Sequence, residues 1–182
     1  RRQRQMCIRD SLCREACPKA KTVADIGGAP GTLAREFASR GLETVIYDLP
    51  VSMKVMKKEL AKAPKIRIVE GDATRSFPPG AYDITFLGNL CHGQSPEDNR
   101  AIIKRCYEHL NPGGAIAVFD NLKGENRGAA VLALHMITQS PHGNVYTRGE
   151  YLEWIKSADF KKVSVRKLSD PAWSLITAIR PR

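Results

Sequence analysis

The chain has 182 residues, enough to bury one sizeable core, and its 42% hydrophobic and 26% charged residues are typical of an ordinary folded domain. No apolar run approaches the roughly 20 residues that span a bilayer, and no signal-peptide core stands near the start, which predicts a cytoplasmic protein with no membrane partner. The net charge of +10 lies mainly at the two ends, with +4 in residues 1–20 and +5 in residues 161–182. Because a nucleic-acid enzyme usually carries its basic stripe beside the active site, this distribution disfavours a nucleic-acid substrate.

Residues 1–11 resemble translated sequencing-adaptor read-through. They show no apolar periodicity, and the chain does not begin with Met. We therefore interpret residues 1–20 as an artefactual or disordered segment that leads into a single domain at residues 21–182. We expect the natural protein to extend further at its N-terminus.

The cysteines predict no metal site. Their odd number, in a chain without a secretory signal, indicates reduced thiols. Cys13 and Cys17 have the spacing of the first two ligands of an iron–sulfur motif, but the third position holds Ala20, and no zinc-binding pair is present. The five cysteines are Cys7, Cys13, Cys17, Cys91 and Cys106.

From residue 22 onward, short apolar runs alternate with amphipathic segments, which is typical of βα units on a parallel sheet. Only a Ser-Asp-Pro turn separates the last two strands, so these should pair antiparallel. The sequence predicts an α/β, doubly wound, mostly parallel seven-stranded sheet with a C-terminal antiparallel hairpin. The predicted elements are, in chain order, a strand at 22–27, a helix ending at Gly41, a strand at 44–47, a helix at about 52–62, strands at 66–69 and 82–87, a helix beginning after Ser95, a break at 111–114, a strand at 115–119, helices near 128–139 and 148–158, and strands at about 163–166 and 173–179.

Gly-rich or acidic segments follow the first three strands, where doubly wound sheets bind their ligands. The first is a turn beginning at Asp25, whose small residues let a ligand approach the backbone. Asp48 is placed to accept hydrogen bonds from ribose hydroxyls, and Asp72 from the amine of adenine. Each could instead cap a helix, but together and in this order they favour an adenosine-bearing ligand.

A dinucleotide does not fit the first turn. Its fingerprint would need glycine at positions 29 and 32, where Ala29 and Thr32 stand. A hydride-transferring oxidoreductase is therefore disfavoured. S-adenosylmethionine carries no phosphate and needs no such fingerprint.

These segments occur in the order and spacing of one family. They resemble the S-adenosylmethionine-dependent O-methyltransferases that include plant caffeic acid and flavonoid enzymes and bacterial antibiotic-tailoring enzymes. The likeness runs from about residue 21 to the C-terminus and implies the Rossmann-like class I methyltransferase fold. The motifs that carry it are Ala24-Asp-Ile-Gly-Gly-Ala-Pro-Gly31, Asp48-Leu-Pro50, Gly71-Asp72, Leu90-Cys-His92 and Asn111-Pro-Gly-Gly114.

The resemblance implies a role for individual residues and a methyl acceptor that is a small, hydroxylated, aromatic molecule. His92 matches the family's catalytic base, Asp120 an acid that orients it, and Met136 a residue that lines the acceptor pocket. The chain's own pattern agrees for His92, because a histidine just past a central strand can titrate near neutrality and reach a bound hydroxyl. The implied cofactor residues are Gly27 and Gly28 at the methionine end, Asp48 at the ribose, Leu49 on the adenine, and Asp72 with Ala73 at its other edge.

The chain departs from the family pattern at several positions, so the plant substrate class is not supported. Val145 stands where a second carboxylate would flank the histidine. In this family an N-terminal helical domain makes a homodimer and closes part of the pocket, and we expect dimerisation only with that domain. The other departures are Ala29 for a glycine, Gly88 for a lysine, and Gly93 and Gln94 for an acid and an aromatic residue.

Two alternatives remain open. Gly28-Ala-Pro-Gly31 also resembles the cofactor loop of RNA 2′-O-methyltransferases, but the lysine and aspartate that those enzymes need after strands five and four are replaced here by Asp120-Asn121 and Gly88-Asn89. A non-catalytic S-adenosylmethionine-binding module is the second alternative, because several family features are missing. Pairing of His92 with Asp120 would favour retained chemistry.

Overall fold

The computed structural model describes residues 13, 15–60, 63–168 and 173–182. No helix within these ranges is long and apolar enough to cross a membrane. The elements bounded there are β1 (Thr22–Ile26), α1 (Thr32–Ser39), β2 (Glu43–Asp48), α2 (Pro50–Leu60), β3 (Ile66–Glu70), β4 (Tyr82–Gly88), a 3₁₀ turn (Cys91–Gly93), α3 (Pro96–His109), β5 (Leu110–Asp120), α4 (Arg127–Gln139), α5 (Arg148–Ser157), β6 (Lys161–Lys167) and β7 (Ser174–Ile179).

The strands of the described chain form one seven-stranded sheet in the order β3-β2-β1-β4-β5-β7-β6. The first five run parallel, and β7 is antiparallel to both of its neighbours. The predicted α/β fold, with a mostly parallel sheet and an antiparallel C-terminal hairpin, is confirmed. The strand order reverses between β1 and β4, so the carboxyl ends of β1, β2 and β4 frame the crevice where such sheets bind ligands.

The fifth strand differs from its prediction, because β5 begins at Leu110 and includes the segment expected to break the chain. Leu110 pairs with Tyr82, and Ala115 pairs with Ile84, so the register shifts between the two pairs. The additional residues are accommodated as an irregularity in which Gly113 takes a left-handed φ of 82°. Glycine adopts this conformation without steric cost, so the strand continues through the turn sequence.

Helices cover both faces of the sheet and bury the predicted apolar stripes. On one face α3 contributes Ile102, Ile103 and Cys106, which are fully buried with Trp154 of α5. The other face carries α1 and α2, whose buried residues include Phe37, Met53, Met56 and Leu60. The predicted caps are present, since Ser95 accepts the Asp98 amide and Thr147 forms a capping box with Glu150.

Part of the segment before residue 21 packs on the sheet. Cys13 is fully buried in the cluster that contains Phe37. The carboxylate of Glu15 accepts two hydrogen bonds from the exposed guanidinium of Arg166, at 2.8 and 2.7 Å. Packing on the domain therefore begins before the boundary that the sequence indicated, whereas residues 1–11 lie outside the described residues.

Candidate active site

The turn after β1 surrounds a small cavity. Gly27 has a φ of 69°, and its amide donates to the Tyr47 carbonyl at 2.8 Å, which closes the turn against β2. A Cβ atom on Gly28 would lie 2.6 Å from Cγ of Asp25, so a larger residue would not fit without a shift. Both predicted glycines line the cavity, which measures about 160 Å³. Its walls are Asp25, Gly27, Gly28, Ala29, Pro30, Thr32, Leu33, Gly88 and Asn89.

Asp25 contributes a buried carboxylate to the wall of this cavity. The residue is 1% exposed, and its Oδ2 atom has no hydrogen-bond partner among the described residues. Burial, together with the nearby charge of Asp48, raises the pKa of Asp25 to about 7. A buried oxygen of this kind suits a cationic or hydrogen-bond-donating ligand. From the sequence, Asp25 was predicted only to begin the turn, although an acid at the end of a buried strand was a usable signal for a binding residue.

Asp48 joins the end of β2 to the same turn. Its Oδ2 atom accepts the Ala29 amide at 2.9 Å, and its Oδ1 atom accepts the Leu49 amide at 2.7 Å. Each carboxylate oxygen keeps a second lone pair for a further donor. Leu49 follows with 46% of its surface exposed, so its side chain is accessible to a ligand. The predicted ribose acceptor and adenine-packing residue thus lie beside the Gly-rich turn.

Asp72 and Ala73 follow β3, next to the end of β2. The Gly71 amide donates to the Asp48 carbonyl at 2.9 Å, which holds the two loops together. Asp72 uses Oδ1 to accept the amide and hydroxyl of Thr74, at 2.9 and 2.7 Å. Chiefly because of the Thr74 hydroxyl, the pKa of Asp72 is below its usual range. The carboxylate therefore stays charged and already stabilises its own turn.

His92 follows the carboxyl end of β4, and Asp120 is at the carboxyl end of β5, the neighbouring strand of the sheet. The His92 Nδ1 atom is 2.7 Å from Oδ1 of Asp120, and the two side chains are 12% and 1% exposed. An ionised carboxylate can only accept, so Nδ1 carries the proton and Nε2 is left as an acceptor. Nε2 has no hydrogen-bond partner within the described part of the chain. The predicted pairing of these two residues is present in the structure.

The backbone that carries His92 is fixed at four successive carbonyl groups. Each carbonyl from residue 91 to residue 94 accepts a hydrogen bond from a different residue. Such a set of bonds restricts rotation of the peptide planes and so restricts the position of the imidazole. The donors, in chain order of the carbonyls, are the Asn99 side-chain amide at 3.0 Å, the Asn144 backbone amide at 2.9 Å, the Ser140 hydroxyl at 3.1 Å and the Tyr146 hydroxyl at 2.6 Å.

Met136, the predicted acceptor-pocket residue, is half-buried near the end of α4. Its carbonyl accepts the Ser140 amide at 3.1 Å, and residues 140–144 then lead to the carbonyls of the His92 loop. The chain thus connects Met136 to His92 through one short segment. Large apolar side chains are exposed along the same helix, at Val131, Leu134 and Ile137.

Residues that the sequence analysis missed complete the surroundings of His92. Asn99 and Tyr151 fall within predicted helices and Tyr146 lies between two of them, and none of the three carries a sequence signal of its own. Their roles depend on contacts across at least eight residues of sequence. Among the described residues, no group of three or more His, Cys, Asp and Glu side chains could hold a metal ion.

The model of the O-methyltransferase domain family matches residues 1–161 of the chain. The chain belongs to this family. Among curated O-methyltransferases, it is 31% identical over 156 residues to the tetracenomycin polyketide synthesis 8-O-methyl transferase TcmO of Streptomyces glaucescens, covering 81% of this chain and 46% of that protein. It is also 31% identical over 170 residues to the acetylserotonin O-methyltransferase of Gallus gallus, covering 89% and 49%. The chain therefore spans about half the length of these relatives.

The fold of this O-methyltransferase family member also resembles solved structures. The structure of human N-acetylserotonin methyltransferase in complex with SAM superposes with a TM-score of 0.80 at 20% identity, covering 98% of this chain and 56% of that one. At this identity the likeness establishes the shared fold.

Proposed function

We propose that the chain is the catalytic domain, at residues 21–182, of an S-adenosylmethionine-dependent O-methyltransferase that acts on a hydroxyl of a small aromatic molecule. The observation that carries the proposal is the His92–Asp120 pair at the same sheet edge as the Gly-rich turn. β1, β4 and β5 are neighbours in the sheet, so a ligand on the turn after β1 is next to the segments that carry this pair. The family membership and the relatives that methylate aromatic hydroxyls support the same reaction.

The donor set fits S-adenosylmethionine, and Asp25 is the strongest reason. Its unpartnered buried oxygen lines a cavity, where the ammonium of the methionine end would supply the missing donor and the compensating charge. Gly27 and Gly28 would admit that end of the molecule to the backbone. Asp48 would accept from the ribose, Leu49 would cover the adenine, and the loop of Asp72 and Ala73 would hold the other edge of the ring.

When bound, the cofactor supplies a methyl group on a positively charged sulfur, and that sulfur keeps the electron pair of the broken carbon–sulfur bond as a neutral thioether. His92 accepts the proton of the acceptor hydroxyl at Nε2 while the oxygen forms its new bond to the methyl carbon. Asp120 holds the imidazole in the required tautomer and stabilises the imidazolium that results. General-base assistance of this kind contributes about 10²–10⁴-fold, and positioning contributes a larger share, roughly 7–11 kcal/mol.

An acidic phenol fits this site better than an alcohol. Val145, which is fully buried, stands where a second carboxylate would flank His92. Asp120 is therefore the acid that orients His92. A base with one orienting carboxylate needs an acceptor that gives up its proton readily. The pKa of a phenol hydroxyl is several units below that of an alcohol hydroxyl. Met136, half-buried near the end of α4, would line the pocket for the aromatic ring.

The experiment that tests the function measures cofactor binding and methyl transfer separately. Calorimetric titration with S-adenosylhomocysteine tests the binding half. Incubation with methyl-labelled S-adenosylmethionine and a panel of phenols, including 1-naphthol and catechol, tests transfer, and product analysis distinguishes O-methylation from C-methylation. Binding without transfer to any phenol, in this chain and in a version extended upstream, would instead support the non-catalytic binding module. Without binding of S-adenosylhomocysteine, the proposal fails.

A further inference from the structure

The carboxylate of Asp120 is fully enclosed and accepts from three donors. Oδ1 receives the His92 imidazole at 2.7 Å and the Asn121 backbone amide at 2.8 Å. Oδ2 receives the Tyr151 hydroxyl at 3.0 Å. Two of these contacts are expected, because His92 is the predicted partner of Asp120 and Asn121 follows Asp120 directly in the chain. Tyr151 is different, because it comes from α5, 31 residues away.

Tyr151 is rigidly held where it meets Asp120. The side chain is fully buried, and its ring packs edge-on against Tyr146 and Trp154, with centroids 6.3 and 5.3 Å away. Thr147 and Glu150 form the capping box that begins α5 one turn earlier, which fixes the start of this helix. Burial, and then the charge of Asp120, raise the pKa of Tyr151 well above its ordinary value, so the phenol stays protonated and can only donate to a carboxylate.

We propose that Tyr151 is a positioning residue for the His92 base and acts through Asp120. Tyr151 takes over the role of the second carboxylate, whose position is occupied by Val145. The hydrogen bond from the Tyr151 hydroxyl fixes Oδ2 of Asp120, so Oδ1 of Asp120 stays directed at the imidazole. The same bond disperses part of the carboxylate charge and so limits how strongly Asp120 holds the proton on His92. The inference rests on the proposed function of His92 as base, but it concerns the ligand-free chain and can be tested there.

The direction of the effect follows from hydrogen bonding to a charged group. A carboxylate that loses a donor becomes more basic and attracts the imidazolium more strongly. In Tyr151→Phe, His92 should therefore be protonated over a wider pH range. Two other titratable groups of the described chain lie beside this cluster, the Cys91 thiol and the Tyr146 phenol. Burial raises the pKa of Cys91 well above its usual value and that of Tyr146 to about 12. Neither group therefore contributes a charge that changes between pH 5 and pH 9.

The test is a titration of His92 in the 182-residue chain, followed by the ¹⁵N and ¹H resonances of the imidazole. His92→Ala identifies the resonances among those of the four histidines. Tyr151→Phe should move the titration midpoint up by at least about half a unit while Nδ1 remains the protonated nitrogen of the neutral ring. Tyr82→Phe is the matched control, since it removes a buried phenol hydroxyl that donates to the Pro79 carbonyl, at the opposite end of β4 from the His92 loop.

A second pair of variants shows whether Tyr151 acts through Asp120. Added to Asp120→Asn, the Tyr151→Phe change should have no further effect on the midpoint, because the carboxylate that transmits it is gone. Three results would each overturn the proposal: an unchanged or lowered midpoint in Tyr151→Phe, an equal shift in Tyr82→Phe, or a shift that persists in the Asp120→Asn background. None of these measurements needs a methyl acceptor, so their failure is distinguishable from failure of the proposed reaction.

Discussion

The imidazole of His92 lies 2.7 Å from the carboxylate of Asp120, although 28 residues separate the two in the chain. The parallel pairing of β4 with β5 produces this contact, because it brings the carboxyl ends of both strands to one place. The structure thus places Nδ1 of His92 and Oδ1 of Asp120 within hydrogen-bond distance. The first prediction concerns the loss of this pair.

His92→Ala should lower kcat for a phenolic acceptor by about 10²-fold or more, with little change in S-adenosylhomocysteine affinity. The reason is that the base acts on the acceptor and does not hold the cofactor. Asp120→Asn should lower kcat by less. Raising the pH should partly restore the kcat of His92→Ala, because it ionises the phenol in solution. His142→Ala, at an exposed loop position, is the control. Full kcat in His92→Ala at neutral pH would mean that the enzyme works by positioning alone.

Asp48→Ala should weaken S-adenosylhomocysteine binding by at least about tenfold in a calorimetric titration. Hydrogen bonds to a charged group are worth roughly 1.5–3 kcal/mol each, and the variant also frees the Ala29 amide that shapes the turn. Asp48→Asn, which keeps one acceptor oxygen, should lose less. Glu43→Ala removes an exposed carboxylate from the opposite end of the same strand and should bind normally. Equal affinities for Asp48→Ala and Glu43→Ala would refute the ribose assignment.

Asp25 makes the ligand-free fold less stable as the pH rises. Its pKa is about 7 in the folded chain and 3.8 in the unfolded chain, so between these values the folded state retains a proton that the unfolded state has lost. The free energy of unfolding should therefore fall between about pH 4 and pH 7, by at most on the order of 4 kcal/mol, and stay reduced above pH 7. Asp25→Asn should remove this dependence and raise stability at pH 8, as measured by urea unfolding.

The same Asp25→Asn variant should bind S-adenosylhomocysteine at least about tenfold more weakly, because the ammonium loses its charged partner. Stability and ligand binding would then change in opposite directions, as expected where a buried charge serves a ligand. Asp159→Asn, an exposed aspartate with a left-handed φ of 67°, should alter neither property. Unchanged ligand affinity in Asp25→Asn would remove this residue from the cofactor site.

Deletion of residues 1–11 should leave the free energy of unfolding within about 0.5 kcal/mol of the starting chain, the usual range for surface changes. Deletion of residues 1–20 should cost more, about 1–2 kcal/mol, because it also removes the fully buried side chain of Cys13. Chemical denaturation of the three chains makes the comparison. A loss of several kcal/mol from the shorter deletion would show that residues 1–11 belong to the fold.

The alternation of strands and helices could be predicted from local sequence, because burial on a parallel sheet imposes a local pattern of apolar residues. Met53, Met56 and Leu60 repeat at the helical period and are all buried on α2, and Ser95 and Thr147 cap the helices that they were predicted to cap. The order of motifs on successive strands also placed His92, Asp120 and Asp48 at one edge. Parallel strands put their carboxyl ends together, so their sequence positions sufficed.

The atoms that complete the site could not be predicted from local sequence, because they come together through packing between distant segments. β7 inserts between β5 and β6, and nothing local to the hairpin distinguishes that order from a simple addition at the edge. The Tyr151 hydroxyl reaches Asp120 across 31 residues, and two segments, α3 at Asn99 and residues 140–146, supply the four donors to the carbonyls of the His92 loop. Such contacts depend on how α5 and residues 140–146 pack against the sheet. Helical period and capping constrain which face of a helix is buried, but they do not specify the partner that each buried polar atom meets there.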